Sequence, residues 1–248
     1  MLYFDWTFWL VVPALIFAFW AQAKVRSSFA RYSQIPSSRG FTGAEVARDL
    51  LRRAEISAGT ERAGGTRAAE ALGATSVEMT SGELSDHYDP SANVLRLSEP
   101  VYGSSSLAAI GVAAHETGHA IQQATGYAGV MMRTALLPMA QIGSKLAMPL
   151  FFIGLIFSAG RGGSLQILMD IGILLYVGAL VFTLMTLPVE YDASRRAMAL
   201  LQDGGYVSRD ELEGVKHVLG AAALTYVAAA AVAVFTLIRL LILRNERD

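Results

Sequence analysis

The sequence predicts a mainly α-helical membrane protein, with about four transmembrane helices and a small α+β domain whose sheet is short. Three observations predict it. Hydrophobic residues make up 53% of the 248 residues against 17% charged, and the mean hydropathy is +0.42, high for a soluble chain. That apolarity is gathered into four segments near the roughly 20 residues needed to cross a hydrocarbon layer. Between the first two lies a polar region large enough for a folded domain. The formal net charge of −1 gives no basic surface for nucleic acid, and the absence of cysteine leaves His, Asp and Glu as the metal-holding side chains.

The first apolar segment, Leu2 to Ala21, is read as a retained anchor over residues 1–23. Asp5 lies near its start and Lys24 and Arg26 follow its end, the opposite of the charge order in a cleaved signal. Residues 24–145 form the polar domain. There Thr42 and Glu45 make a capping box that opens a helix to about Ile56. The insertion at 59–75, rich in Gly, Ala and charge, receives neither structure nor role. Val77 to Met79 and Asn93 to Ser98 alternate like two short strands that pair across a turn at Asp86 to Pro90. Ser104 to Ser106 offer N-caps for the next helix, LAAIGVAAHETGHAIQQA, which stops near Gly126.

The second apolar segment, Leu146 to Ala159, is short for a span, so its helix is expected to begin upstream. The Arg161 to Gly163 turn joins it to a third segment, Leu165 to Leu187, as a hairpin over 146–188. A helix over 189–217 follows, then the last span and a tail over 218–248. Asp170, near the outer end of the third segment, is read as an interfacial acid. The Ala-rich run from Ala228 to Ala233 is read as a close-packing face.

The chemistry sits in HETGH. His115 and His119 are four residues apart, so on a helix they lie about 40° apart in projection and about 6 Å along the axis, and both rings can reach one ion. This is the HExxH pattern of zinc sites, with Glu116 as the base that takes a proton from a zinc-activated water. A catalytic zinc takes about three protein ligands and keeps a place for water, so a third ligand must come from elsewhere. The chain has four histidines, and the place of a third ligand histidine in the longer HExxHxxGxxH pattern is Thr125. An acid downstream is then expected. Glu190 and Asp192 both open the helix after the third span, where either can equally serve as a first-turn acid favourable to the helix dipole. Position alone leaves both open, although Glu190, Ser194, Ala197 and Leu201 share one stripe that could pack on the HETGH helix.

ThrGlyAlaGluValAla at 42–47, SerAspHisTyrAspProSer at 85–91, ArgLeuSer at 96–98, the HETGH segment, ProValGluTyrAspAlaSer at 188–194 and AlaLeuThrTyrValAlaAla at 223–229 together resemble the YugP-like family of neutral membrane zinc metallopeptidases. The resemblance covers most of the chain. It implies a zincin-like catalytic domain, a zinc ion (Zn2+) on His115, His119 and Glu190, and a gluzincin similar in layout to HtpX-type membrane proteases. In that layout a Glu is followed four residues later by an Asp. Here that place is Ser194, so hydrogen-bond support for a ligand histidine must come from Ser194, Asp192 or elsewhere.

The expected activity is endoproteolysis of proteins or peptides, membrane proteins among them, in membrane protein turnover or processing. An extended peptide could add to the edge of the strand at Val94, Leu95, Arg96 and Leu97. His217, at the mouth of the last span, is a candidate for stabilising the oxyanion, against a purely interfacial role. Asp86, His87 and Asp89 could hold a second metal, although a plain Asx-type turn is the simpler reading. Two spans separate His115 from Glu190 and return the chain to one side of the bilayer. Lys24, Arg26, Arg31, Lys145, Arg195, Arg196 and Lys216 flank that side, against Arg161, Arg244 and Arg247 on the other, which predicts a cytoplasmic site in a bacterial plasma membrane. Two rival readings are an intramembrane, site-2-like protease using Asp203 of AspGly as third ligand, and a non-catalytic membrane scaffold bearing a structural zinc.

Overall fold

A computed structural model describes residues 6–60, 65–158 and 165–246. Eight helices and three strands follow in order among the described residues: α1 (Phe8–Tyr32), α2 (Gly43–Gly59), α3 (Gly65–Gly73), β1 (Ser76–Thr80), β2 (His87–Asp89), β3 (Val94–Ser98), α4 (Glu99–Tyr102), α5 (Leu107–Ala124), α6 (Ala128–Ser158), α7 (Gln166–Asp203) and α8 (Arg209–Asn245). Four of these, α1, α6, α7 and α8, are long and apolar enough to cross a membrane, and α5 is not among them. The predicted class is therefore met: mostly helix, four candidate spans and one three-stranded sheet.

The chain divides into two compact units. The first takes Met1–Gln22, Met132–Pro188 and Leu224–Asp248. Its buried cluster is Phe151, Met169, Leu240 and Leu243. Helices α6 and α7 meet closely there, since a Cβ added at Gly172 would lie 2.7 Å from the Ala147 carbonyl and one at Gly143 would lie 2.9 Å from that of Leu175. Asp170 pairs with Arg244, Oδ1 to Nε 3.0 Å. As expected, α6 begins well upstream of Leu146. It runs unbroken through Pro138 and Pro149. The Arg161 to Gly163 turn lies outside the described residues.

The second unit takes Ala23–Met131 and Val189–Ala223. Thr42 caps α2 as the sequence predicts, its hydroxyl accepting from the Glu45 N–H while Glu45 Oε2 accepts from the Thr42 N–H. Part of the unassigned insertion is the amphipathic helix α3, which buries Ala68 and Leu72 against Leu51, Leu95 and Ile121. Ser106 caps α5, and Gly126 beyond its end takes a positive φ of 65°.

The two predicted strands do pair, as β1 and β3, but in parallel and with a third strand between them in sequence. The order in the sheet is β1-β3-β2, with β1 parallel to β3 and β2 antiparallel to it. Residues read as a turn supply β2, whose HisTyrAsp sequence has no apolar alternation to betray a strand. Side chains hold it instead. Asp86 accepts from the Ser98 N–H and hydroxyl, and Asp89 accepts from Arg96 at 2.7 Å. The turn back into β3 uses Asn93, a residue tolerant of its φ of 53°. In consequence β3 has hydrogen-bonded neighbours on both sides, and the expectation that a peptide adds at Val94 to Leu97 is not met: the edges of this sheet are β1 and β2.

Helix α7 brings a second correction. Residues 189–203 continue the helix of the third span through Pro188 without a break. Glu190 and Asp192 are therefore mid-helix acids, and the dipole reading of either loses its basis. The helix expected over 189–217 is interrupted: α7 stops at Asp203, Gly205 takes φ 69°, and α8 begins at Arg209.

Candidate metal centre

Helices α5 and α7 run antiparallel across each other through matched stripes of residues four apart. Gly118 and Gln122 of α5 face Ala193 and Val189 of α7: a Cβ at Gly118 would lie 2.8 Å from the Ala193 carbonyl, and Gln122 Nε2 donates to the Val189 carbonyl at 2.9 Å. Beside that seam, His115 and His119 face Ser194 and Glu190. The absence of a side chain at Gly118 and the small one at Ala193 let the backbones approach closely enough for a short carboxylate to reach both rings.

The His115 and His119 rings stand edge to face, centroids 4.7 Å apart. Glu190 Oε2 is 3.3 Å from His115 Nε2 and 3.4 Å from His119 Nε2. All three ligand atoms lie within 4.8 Å of one another. Two ligands at the tetrahedral angle, each about 2.0–2.1 Å from a zinc ion, are about 3.3 Å apart. The carboxylate is thus spaced from each imidazole as two corners of one zinc tetrahedron would be, and the two-nitrogen, one-oxygen donor set leaves a fourth corner free. The residues fit the metal.

Glu190 lies beyond the apolar stretch of α7 and is 3% exposed, so it is a buried acid. Burial pushes its carboxyl up, but the hydrogen-bonding and charge contacts with His115 and His119 outweigh this and hold it well below the usual carboxylate range. For His119, burial pushes the imidazole down, while Glu190, Glu116 and Gln122 together raise it above its ordinary value.

Each ring is held from behind. Ser194 Oγ sits 3.1 Å from His115 Nδ1. Gln122 Oε1 sits 3.0 Å from His119 Nδ1, and Gln122 Nε2 donates to both Val189 O and Asp192 Oδ2 at 2.9 Å. Arg195 and Arg196 in turn hydrogen-bond Asp192. Ser194 and Asp192, both candidates for this support, thus serve different histidines, Asp192 through Gln122. Gln122 was not foreseen. The available signal was its place three residues after His119, on the same face of the helix.

Glu116 is 9% exposed and accepts from the Tyr88 backbone N–H at 3.0 Å, which ties edge strand β2 to the HETGH helix. Asp86, at the start of that strand, is pushed up by burial and further by the Glu116 charge, against the opposing Ser98 hydrogen bonds. Asp89 accepts from the Ser91 and Ala92 N–H groups in the Asx-type geometry, and the group able to hold a metal among the described residues is His115, His119 and Glu190. Arg96 joins Asp89 of β2 and Glu78 of β1 across the sheet. His217 is exposed on α8 and stacks on Tyr32 at 5.9 Å. Asp203 is exposed at the end of α7, 13 residues or about 20 Å of helix from Glu190.

Comparison with known proteins gives two matches. A family model described as "Putative neutral zinc metallopeptidase" matches residues 7–245. A curated protein of Bacillus subtilis (strain 168), described as "Putative membrane protease YugP", is 43% identical over 240 residues, covering 96% of this chain and 97% of that protein. No solved structure matches the chain.

Proposed function

The chain belongs to the neutral zinc metallopeptidase family, and on that premise we propose that it is a membrane-embedded zinc endopeptidase of the gluzincin type. The observation that carries the reading is the spacing of Glu190 Oε2, 3.3 and 3.4 Å from the two HETGH imidazoles. Zinc held there would lower the pKa of a water molecule to about 7 and polarise a peptide carbonyl. Glu116 does the proton work. Its Oε2 is engaged by the Tyr88 N–H, which leaves Oε1 to take the proton of the attacking water and deliver it to the leaving amine. No covalent acyl-enzyme is needed.

The substrate would lie extended along the open edge of β2, where main-chain hydrogen bonds tolerate many sequences. Strand β2 takes the role expected of Val94 to Leu97 because Tyr88 already reaches Glu116. Stacking of His217 on Tyr32 favours an anchoring role for this imidazole over an oxyanion role. The four apolar helices, long enough to cross a bilayer, support a membrane location, the Bacillus subtilis relative supports a bacterial plasma membrane, and Lys24, Arg26, Arg31, Arg195, Arg196 and Lys216 favour a cytoplasmic site. Membrane proteins and membrane-proximal peptides are then the accessible substrates, and turnover or processing of membrane proteins the role. The site-2-like alternative is disfavoured by the exposed, distant Asp203 and by an α5 that is not among the candidate spans.

The test compares native protein with Glu116→Gln in lipid nanodiscs, measuring bound zinc and cleavage of a labelled unstructured protein. The expected outcome is about one zinc in each and cleavage slower by about 10²–10⁴-fold in the variant. Zinc in both and cleavage in neither would support a scaffold bearing structural zinc instead.

A further inference from the structure

We infer that Gln122 is a positioning residue of the metal centre, fixing His119 as its Nδ1–H tautomer so that the Nε2 lone pair faces His115 and Glu190. The inference rests on the proposed metal site only in taking Nε2 as the ligand atom.

A glutamine amide has two ends, and here one end is decided by chemistry. The Val189 group it faces is a main-chain carbonyl, which accepts hydrogen bonds and cannot donate. The end of Gln122 that lies 2.9 Å from Val189 O and 2.9 Å from Asp192 Oδ2 must therefore be the NH2. The opposite end, 3.0 Å from His119 Nδ1, is then a carbonyl oxygen, also acceptor only. The proton between them must belong to Nδ1. Rotating the amide would set oxygen against oxygen at Val189 and nitrogen against the ring. Gln122 is fully buried at 0% exposure, so no water is at hand to rescue either mismatch.

His115 has no such constraint, since the Ser194 hydroxyl 3.1 Å from its Nδ1 can rotate to donate or accept. The two ligand histidines therefore differ: one is set by a rigid amide, the other by an adaptable hydroxyl. The same amide spans α5 and α7, so the orientation of His119 and the position of the Glu190 helix are set together.

The experiment uses the full-length chain with ring-¹⁵N histidine. Only four histidines are present, so each ring can be assigned by single substitution. In metal-stripped protein with neutral imidazoles, His119 is expected as Nδ1–H. In Gln122→Met, which keeps the side-chain length, the signal shifts toward Nε2–H while His87 and His217 do not move. Zinc affinity falls by about 10–100-fold. Asp192→Asn leaves the Val189 and His119 contacts of the amide in place and is expected to keep the native His119 tautomer; a shift to Nε2–H there would count against the inference. A native His119 found as Nε2–H overturns the inference, as does weaker zinc binding in Gln122→Met with an unmoved tautomer, the mark of a purely helix-packing role. If native protein binds no zinc, the proposed function fails, yet the tautomer still decides this inference. If Gln122→Met does not fold, the native spectrum and Asp192→Asn decide it.

Discussion

Glu190 and Asp192 are two residues apart and both acidic, and they do unrelated things. On a helix that spacing turns the second side chain about 200° from the first, so Glu190 faces the two histidines while Asp192 faces Gln122 and two arginines. HETGH was legible because its spacing alone brings His115 and His119 together. The choice between Glu190 and Asp192 was not, because it depends on how α7 is rotated against α5, and that is a matter of packing. Ser194 follows Glu190 by one turn and so shares its face. Ser194→Ala is expected to leave the fold intact and weaken zinc binding by about tenfold, measured by competition with a chelator of known affinity. Unchanged affinity would show that the 3.1 Å contact with His115 does not hold the ring.

Between α5 and α7 the seam tolerates no added atom. Gly118→Ala places a Cβ 2.8 Å from the Ala193 carbonyl, so the helices must part or the backbone must bend. The expected result is destabilisation of about 1–3 kcal/mol together with weaker zinc binding, since the parting moves Glu190 away from both rings. Thermal unfolding and zinc affinity measured on one sample check it. The sheet makes a milder prediction. Arg96 bonds Asp89 and approaches Glu78, pairs open enough to solvent to add little to stability. Arg96→Ala is expected to shift the melting temperature little but to speed amide exchange in β2 and slow cleavage, because β2 carries the Tyr88 N–H that holds Glu116. The long helices and the three helix-end signals were readable from apolar runs and from Thr42, Ser106 and Gly126. Strand β2 was not, since its polar residues are held by Asp86 and Asp89 rather than by a buried face.

At the scale of the whole molecule, the chain has no cysteine, so one introduced thiol reports topology cleanly. Ser57→Cys on the exposed side of α2 is expected to react with a membrane-impermeant maleimide in inverted vesicles and not in intact cells. Labelling in intact cells would reverse the proposed orientation. A second prediction concerns pH. The hydrogen bond from the Tyr206 hydroxyl, with Arg53 and Arg52, outweighs burial and lowers Asp49 from 3.8 to about 2, while burial and then Asp49 push Tyr206 up from 10.0 to about 12. A lowered acid stabilises the fold above its ordinary pKa and loses that contribution as pH falls from about 3.8 through 2. A raised phenol does so below 10 and loses it as pH rises through 12. Tyr206→Phe is expected to flatten both limbs of the stability–pH curve. Glu190 reaches HETGH from a separate helix, α7, and completes the proposed metal site there, and this is the central claim. Its most direct measurement is the zinc content of Glu190→Gln, Asp192→Asn and Asp203→Asn after gel filtration against a mild chelator. Loss of zinc in Glu190→Gln with full retention in Asp203→Asn and partial retention in Asp192→Asn is the predicted result; zinc retained in Glu190→Gln would contradict it.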